Sequence, residues 1–155
     1  MTTRIAWIQS RWQGSVEDTH RHYLSQAETL AGNGVDVLVL PELFATPYFC
    51  IEQNIDSFDF AVSMDHPHIN DWRQMAAALR CVLVYPFFEK RGDGIYHNTV
   101  CVIERDGAMA GLYRKSHIPD DPGFNEKYYF TPGDTGFFPV ATSAEIGRAS
   151  CRERV

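Results

Sequence analysis

The sequence has no CxxC pair, no HExxH, no GxGxxG and no GxxxxGK[ST]. The first two absences remove the common signatures of structural zinc and of zinc-dependent hydrolysis. The last two leave a generic nucleotide-binding α/β domain with little behind it. No apolar run approaches the roughly 18 residues a membrane span needs. The opening Met1-Thr2-Thr3-Arg4 leads into a short apolar stretch ended by Gln9, Ser10 and Arg11, which is too short for a secretory leader. These two features predict a cytoplasmic protein with no membrane contact. There is no basic stripe either: net charge is −6 and the pI is about 5.4. An acidic chain without a positive patch is not expected to bind nucleic acid.

What is present describes a globular chain. Of its 155 residues, 45% are hydrophobic and 13% aromatic, enough to bury a core. The four cysteines are scattered and are expected to stay reduced. Residues 4–9 (RIAWIQ) form the first expected strand. Ser15 and Asp18 make a capping box for a helix whose apolar stripe runs from Val16 to Ala31. Gly32-Asn33-Gly34 stops it. Residues 35–40 (VDVLVL) predict a strand buried on both faces. A second helix is expected over 67–79 with Asp65 near its N-cap. Strands follow over 81–88, 95–103 and 108–113, with Gly92-Asp93-Gly94 and Asp106-Gly107 as turns. Residues 115–136, rich in Pro, Gly, Asp and aromatics, read as a long ordered loop of the kind that carries function. The alternation of strand and helix places the chain in the α/β class.

Glu42 stands just past the C-terminal end of an expected buried strand, where open α/β sheets bind ligands. Beside Leu43 and Phe44 it is expected to be desolvated, which suits a general base. Position alone leaves this open against a plain surface glutamate. Lys115 follows another strand and opens the long loop, either as an oxyanion stabiliser or as a solvated lysine. Glu126 and Lys127 lie between Phe124 and the run Tyr128-Tyr129-Phe130, as a pocket wall or as packing. The histidines include two HxH pairs, His20 with His22 and His66 with His68. On a helix, residues i and i+2 do not share a face, so His20 and His22 are not expected to chelate one ion. His66 and His68 flank Pro67 at a helix start with no HExxH and no paired carboxylates, so no metal is expected there either. His97 and His117 are isolated in sequence. Cys81 and Cys101 sit in apolar strand patterns, as small hydrophobes do. Cys50 follows an aromatic loop. Cys151, flanked by Arg148, Arg152 and Arg154, has a setting that lowers a thiol pKa but no framing strand or helix.

Taken together, Leu40-Pro41-Glu42-Leu43-Phe44 and Tyr113-Arg114-Lys115-Ser116-His117 resemble the glutamate and lysine motifs of the nitrilase superfamily of carbon–nitrogen hydrolases. The resemblance runs from Arg4 to about Ala144. The longer phrases PELFATPYFC (41–50), KSHIPDDPGFNEKYYF (115–130) and TPGDTGF (131–137) are similar to the N-carbamoylputrescine amidase branch. It implies the N-terminal part of a four-layer α-β-β-α sandwich, and hydrolysis of a terminal ureido group to putrescine, carbon dioxide and ammonia in polyamine synthesis. It also implies roles. Glu42 is the general base, Lys115 stabilises the tetrahedral intermediate, and Glu126 positions substrate and lysine. No metal or organic cofactor is implied, the partner is a small ureido or amide substrate, and the parent enzyme is a homo-oligomer.

The family nucleophile is a cysteine in a Cys-Trp segment, and no such segment occurs here. Residues 1–144 read as a truncated hydrolase domain. Residues 145–155 (EIGRASCRERV) read as a foreign tail, disordered or artefactual, against the plainer reading of a charged C-terminus. The chain alone is expected to be inactive, and a half sandwich is expected to associate through uncovered faces. Two rivals remain. One is another amidase of the superfamily (an ω-amidase or a ureidopropionase-like enzyme), with specificity in a pocket loop of Tyr48, Phe49, Phe124 and Tyr128. The other is a non-catalytic chain that binds a ligand or a subunit.

Overall fold

The computed structural model describes residues 2–144. The expected tail at 145–155, with Cys151, lies outside the described residues. Strand β1 (Ile5–Trp7) leads through helix α1 (Val16–Glu28) to β2 (Val37–Val39). Two 3-10 turns, Phe49–Ile51 and Ile55–Phe60, precede α2 (Pro67–Leu79). Then come β3 (Val82–Gly92), β4 (Ile95–Ile103), β5 (Met109–Arg114) and a single helical turn, α3 (Glu126–Tyr129). The strands form one sheet in the order β1-β2-β3-β4-β5. The first two pairings are parallel and the last two antiparallel. This is the α/β class expected.

The parallel strands need crossovers, and the two helices supply them. Ser15 caps α1, its hydroxyl accepting from the Asp18 amide at 3.0 Å. Helix α1 stops at Glu28, short of the Ala31 expected. Its last turn tightens into i→i+3 bonds at Leu30 and Ala31, which use the trailing carbonyls before Gly32 turns at φ 79. The N-cap of α2 is His66, next to Asp65. The His66 ring accepts from the His68 amide at 3.3 Å, and Pro67 takes the first helical position, where its missing N–H costs nothing. Strands β1 and β2 are only three residues long. The ladder bonds Ile8 N to Val39 O and Leu40 N to Val84 O carry the pairing one residue further, and then Pro41, without an N–H, ends it.

One face of the sheet packs against the helices. Leu38, Leu83, Tyr85, Cys101 and Ile103 meet Tyr23 and Ala27 of α1 and Ile69, Trp72 and Ala76 of α2. Trp72 is fully buried, and burying such a side chain contributes about 1.5–3 kcal/mol. The other face carries Val37, Val82 and Val102, covered in part by Val140 and Ala144. Gly111 makes that cover possible, because a Cβ there would meet Val140 Cγ2 at 2.7 Å. Toward β1 the cover ends. Trp7, in register with Val39, is 68% exposed, and Ile5, in register with Val37, is 53% exposed. β1 is an edge strand, and exposed apolar edges invite pairing. Trp7→Lys is therefore expected to reduce self-association of the chain, measured by sedimentation velocity. Stability should change by less than roughly 0.5 kcal/mol, as for a surface substitution. An unchanged sedimentation profile would place the association elsewhere.

His20 of the first HxH pair meets His68 of the second where α1 crosses α2, while His22 lies apart, its Nε2 2.9 Å from Ser10 Oγ. The His20 ring stacks on His68 at 3.9 Å, His66 abuts His68 edge-on, and His20 Nε2 lies 3.1 Å from Asp71. Burial first, then its two histidine neighbours, pushes the His68 pKa down to about 4. Burial also lowers that of His20, against the pull of Asp71. Both groups prefer to be neutral in the folded chain, so the unfolded chain takes up protons first. Their contribution is intact above about pH 6.5 and is lost as pH falls toward about 4. His68→Phe keeps the stack without the titration. Urea midpoints of this variant should fall less between pH 7 and pH 4.5 than those of the wild type. Equal acid sensitivity would remove the histidine stack as its cause.

Among the described residues, no group of three or more His, Cys, Asp or Glu side chains could hold a metal ion. No helix among them is long and apolar enough to cross a membrane.

Candidate active site

Glu42, Lys115 and Glu126 are 73 and 11 residues apart along the chain, measured from Lys115, and the fold brings them together. Lys115 Nζ donates to Glu126 Oε2 at 2.7 Å and to Glu42 Oε1 at 3.3 Å. Lys115 and Glu126 are buried.

Each residue arrives by a local cause. The chain leaves β2 through Pro41 and reverses at once. Leu43 takes a left-handed conformation, φ 51, which only a few per cent of non-glycine residues adopt. Its side chain is held in a cluster with Phe49, Phe88 and Phe130, while Phe44 turns into the main core. With both neighbours anchored inward, Glu42 is left at the rim. Lys115 extends the β4/β5 ladder by one residue, its N–H bonding the Asn98 carbonyl at 2.9 Å. Glu126 opens α3, and the loop before it is tied by the Asn125 N–H to the Cys50 carbonyl at 2.7 Å. The long segment 115–136 is thus ordered, as expected. Thr131 N bonds Tyr96 O and Gly133 N bonds Lys115 O. Gly133 approaches so closely that a Cβ would stand 2.0 Å from the Arg114 carbonyl oxygen.

The expectation of a desolvated Glu42 is not met. Its side chain is 48% exposed. The apolar neighbours Leu43 and Phe44 fill their own clusters and do not cover it. Burial falls on the other two residues. For Lys115, burial opposes the charge, but the Glu126 hydrogen bond and the two carboxylates outweigh it and hold its pKa above the ordinary lysine value. The lysine is a fixed cation at neutral pH, which suits stabilising an oxyanion better than relaying a proton.

Asn98 and Tyr48 complete the site. Asn98 Nδ2 donates to Glu42 Oε1 at 2.5 Å, and the Tyr48 hydroxyl donates to Glu126 Oε1 at 3.3 Å. The Tyr48 and Phe124 rings meet edge-on at 6.1 Å. Asn98 escaped the sequence reading. Its signal was the polar triplet His97-Asn98-Thr99 inside an otherwise apolar strand, where each buried polar group needs a partner.

The three cysteines among the described residues are not activated. Burial first, then Glu126, pushes the Cys50 thiol up to about 12. Burial likewise takes Cys81 to about 11 and Cys101 to about 12. All three are fully buried, and none is a competent nucleophile.

Lys115 thus stands between one half-exposed carboxylate, Glu42, and one buried carboxylate, Glu126. The carbon-nitrogen hydrolase profile matches residues 4–155. The chain belongs to the carbon–nitrogen hydrolase family. An N-carbamoylputrescine amidase of Solanum lycopersicum is 45% identical over 120 residues, 76% of this chain and 40% of that protein. A citrullinase of Francisella tularensis is 38% identical over 145 residues, 90% of this chain and 50% of that protein. A carbon–nitrogen hydrolase from Helicobacter pylori G27, of known crystal structure, superposes with a TM-score of 0.86 at 40% identity. That match covers 91% of this chain and 48% of that one. This carbon–nitrogen hydrolase chain therefore spans half or less of the length of these relatives.

Proposed function

We propose that this chain supplies the glutamate–lysine–glutamate set of a thiol-dependent hydrolase whose substrate is N-carbamoylputrescine. The observation that carries the reading is Lys115 Nζ, held between two carboxylates at 2.7 and 3.3 Å. Glu42 takes the proton of a cysteine thiol, and the thiolate adds to the ureido carbonyl carbon. Lys115 faces the oxyanion that forms. Collapse expels the amine, which takes the proton back from Glu42. Water, activated by Glu42, then cleaves the carbamoyl thioester. The carbamate released breaks down to carbon dioxide and ammonia. Glu126 keeps Lys115 aimed. The thiol is not among the described residues. We further propose that the enzyme serves polyamine synthesis in the cytoplasm, as a homo-oligomer.

A second reading is citrulline hydrolysis, favoured by the wider coverage of the citrullinase match. Both substrates present a terminal ureido group, so the Glu42–Lys115–Glu126 chemistry is the same and only the far end differs.

The test begins with the gene. Sequencing the source locus past the codon for Ala144, then expressing the frame found there, should yield a protein that hydrolyses N-carbamoylputrescine in preference to citrulline and 3-ureidopropionate. Preference for citrulline would install the second reading. The chain of 155 residues assayed by itself should release no ammonia. Turnover that vanishes in Cys151→Ser would overturn that expectation and make Cys151 the nucleophile.

A further inference from the structure

Asn98 sits at the meeting point of the site's two halves. It is in β4, opposite Phe88 of β3, and is 3% exposed. Its carbonyl accepts the Lys115 N–H, while its side chain reaches Glu42. Strand alternation explains how it does both. Thr99 pairs with Arg114, so Asn98 stands opposite Lys115, and their side chains share one face. Thr99 and Arg114 point to the other face, where both bond Glu89. The orientation of the amide follows from chemistry. Glu42, ionised, offers only acceptors, so a contact of 2.5 Å must be made by the amide nitrogen.

A half-exposed glutamate on a surface turn has several rotamers open to it. Two donors restrict Glu42. Lys115 is the weaker hold, because its shorter bond goes to Glu126 and its bond to Glu42 is 3.3 Å. Asn98 is the stronger. Both donors use Oε1, and Oε2 has no hydrogen bond among the described residues. Holding one oxygen leaves the other facing outward with its lone pairs free. An amide does this without adding a second positive charge next to the carboxylate.

We infer that Asn98 is the positioning residue of this site: it pins Glu42 Oε1 and so presents Oε2 as the base. The inference rests on the reading of Glu42 as the general base. Aspartate at this position keeps the shape but loses the donor and repels Glu42. Leucine keeps the approximate volume and loses both polar atoms.

Two measurements test it. On the chain itself, NMR should place the bonded Asn98 amide proton downfield and protected from exchange, and Glu42→Ala should abolish both. Three-bond couplings should report one Glu42 rotamer in the wild type and averaging in Asn98→Leu and Asn98→Asp. An amide proton indifferent to Glu42→Ala, or an ordered Glu42 in both Asn98 variants, would overturn the proposal. On the enzyme expressed from the source gene, Asn98→Asp and Asn98→Leu should lower kcat by roughly 10- to 100-fold, part of what a positioned base contributes, with KM little changed. A rise in KM at unchanged kcat would make Asn98 a substrate contact and also overturn it. Glu42 disordered by both variants with no change in rate would instead refute Glu42 as the base, leaving the geometric role of Asn98 intact but without consequence for catalysis.

Discussion

Arg114→Met is expected to destabilise the chain by about 3–5 kcal/mol, the range for removing one partner of a buried ion pair. Arg114 lies directly before Lys115, on the opposite face of β5. Its guanidinium grips Glu89 with two parallel bonds, Nε to Oε2 at 2.6 Å and Nη2 to Oε1 at 2.7 Å. Glu89 is 1% exposed and also accepts from Thr99 Oγ1 at 2.6 Å. Arg114 Nη1 reaches Asp134, which pairs with Arg91 as well. Methionine can fill the space but leaves the Glu89 charge buried, with one hydroxyl for company. Glu89→Leu combined with Arg114→Met removes both charges together, and such a double replacement is often close to neutral. The two changes should therefore be non-additive by roughly 2 kcal/mol or more in urea unfolding, as for contacting residues. Additive costs would mean that the pair is not coupled. The pH dependence has a fixed sign. Burial by itself would raise the Glu89 carboxyl, but the Arg114 and Thr99 bonds outweigh it and leave it below the ordinary value. A depressed carboxylate stabilises the fold above the unfolded pKa and loses that contribution as pH falls through the folded value. Arg114→Met should thus remove part of the acid sensitivity of the wild type.

That pair marks where sequence reasoning stopped. The β-α-β opening, the later strands and both hairpin turns were legible, because continuous β-branched apolar runs and Gly/Asp turns are local signals. Element ends were less so. Nothing local says that a parallel ladder closes after three residues, or which residue beside Asp65 caps α2. Glu42, Lys115 and Glu126 were named by motif, but their environment was not. The reading buried Glu42 because its neighbours are apolar, whereas those neighbours pack into separate clusters and burial goes to Lys115 and Glu126. Asn98 and Glu89 act across 56 and 25 residues respectively. Such pairings depend on strand register, which a pattern of residue types does not specify by itself.

Lys115→Met and Glu126→Gln touch the same 2.7 Å contact and should have unequal effects. Removing the lysine leaves the Glu126 carboxylate, 5% exposed, with the Tyr48 hydroxyl alone. The cost should again be about 3–5 kcal/mol near neutrality. Glutamine at 126 still offers an oxygen to Lys115, Tyr48 can turn to accept from its amide, and the Glu42 carboxylate continues to neutralise the lysine. That variant should cost about 1 kcal/mol, the net worth of an ordinary hydrogen bond. The wild type has a pH dependence of its own. The Lys115 pKa is raised, so its stabilising contribution is complete below the unfolded lysine value of 10.5 and is lost as pH rises through the folded one. Unfolding midpoints for the three proteins at neutral and alkaline pH separate these terms. If Lys115→Met were as mild as Glu126→Gln at neutral pH, water would be reaching Glu126 and the site would be open rather than dry. The fixed cation would then lose most of its leverage on an oxyanion, because charge stabilisation weakens steeply as water enters.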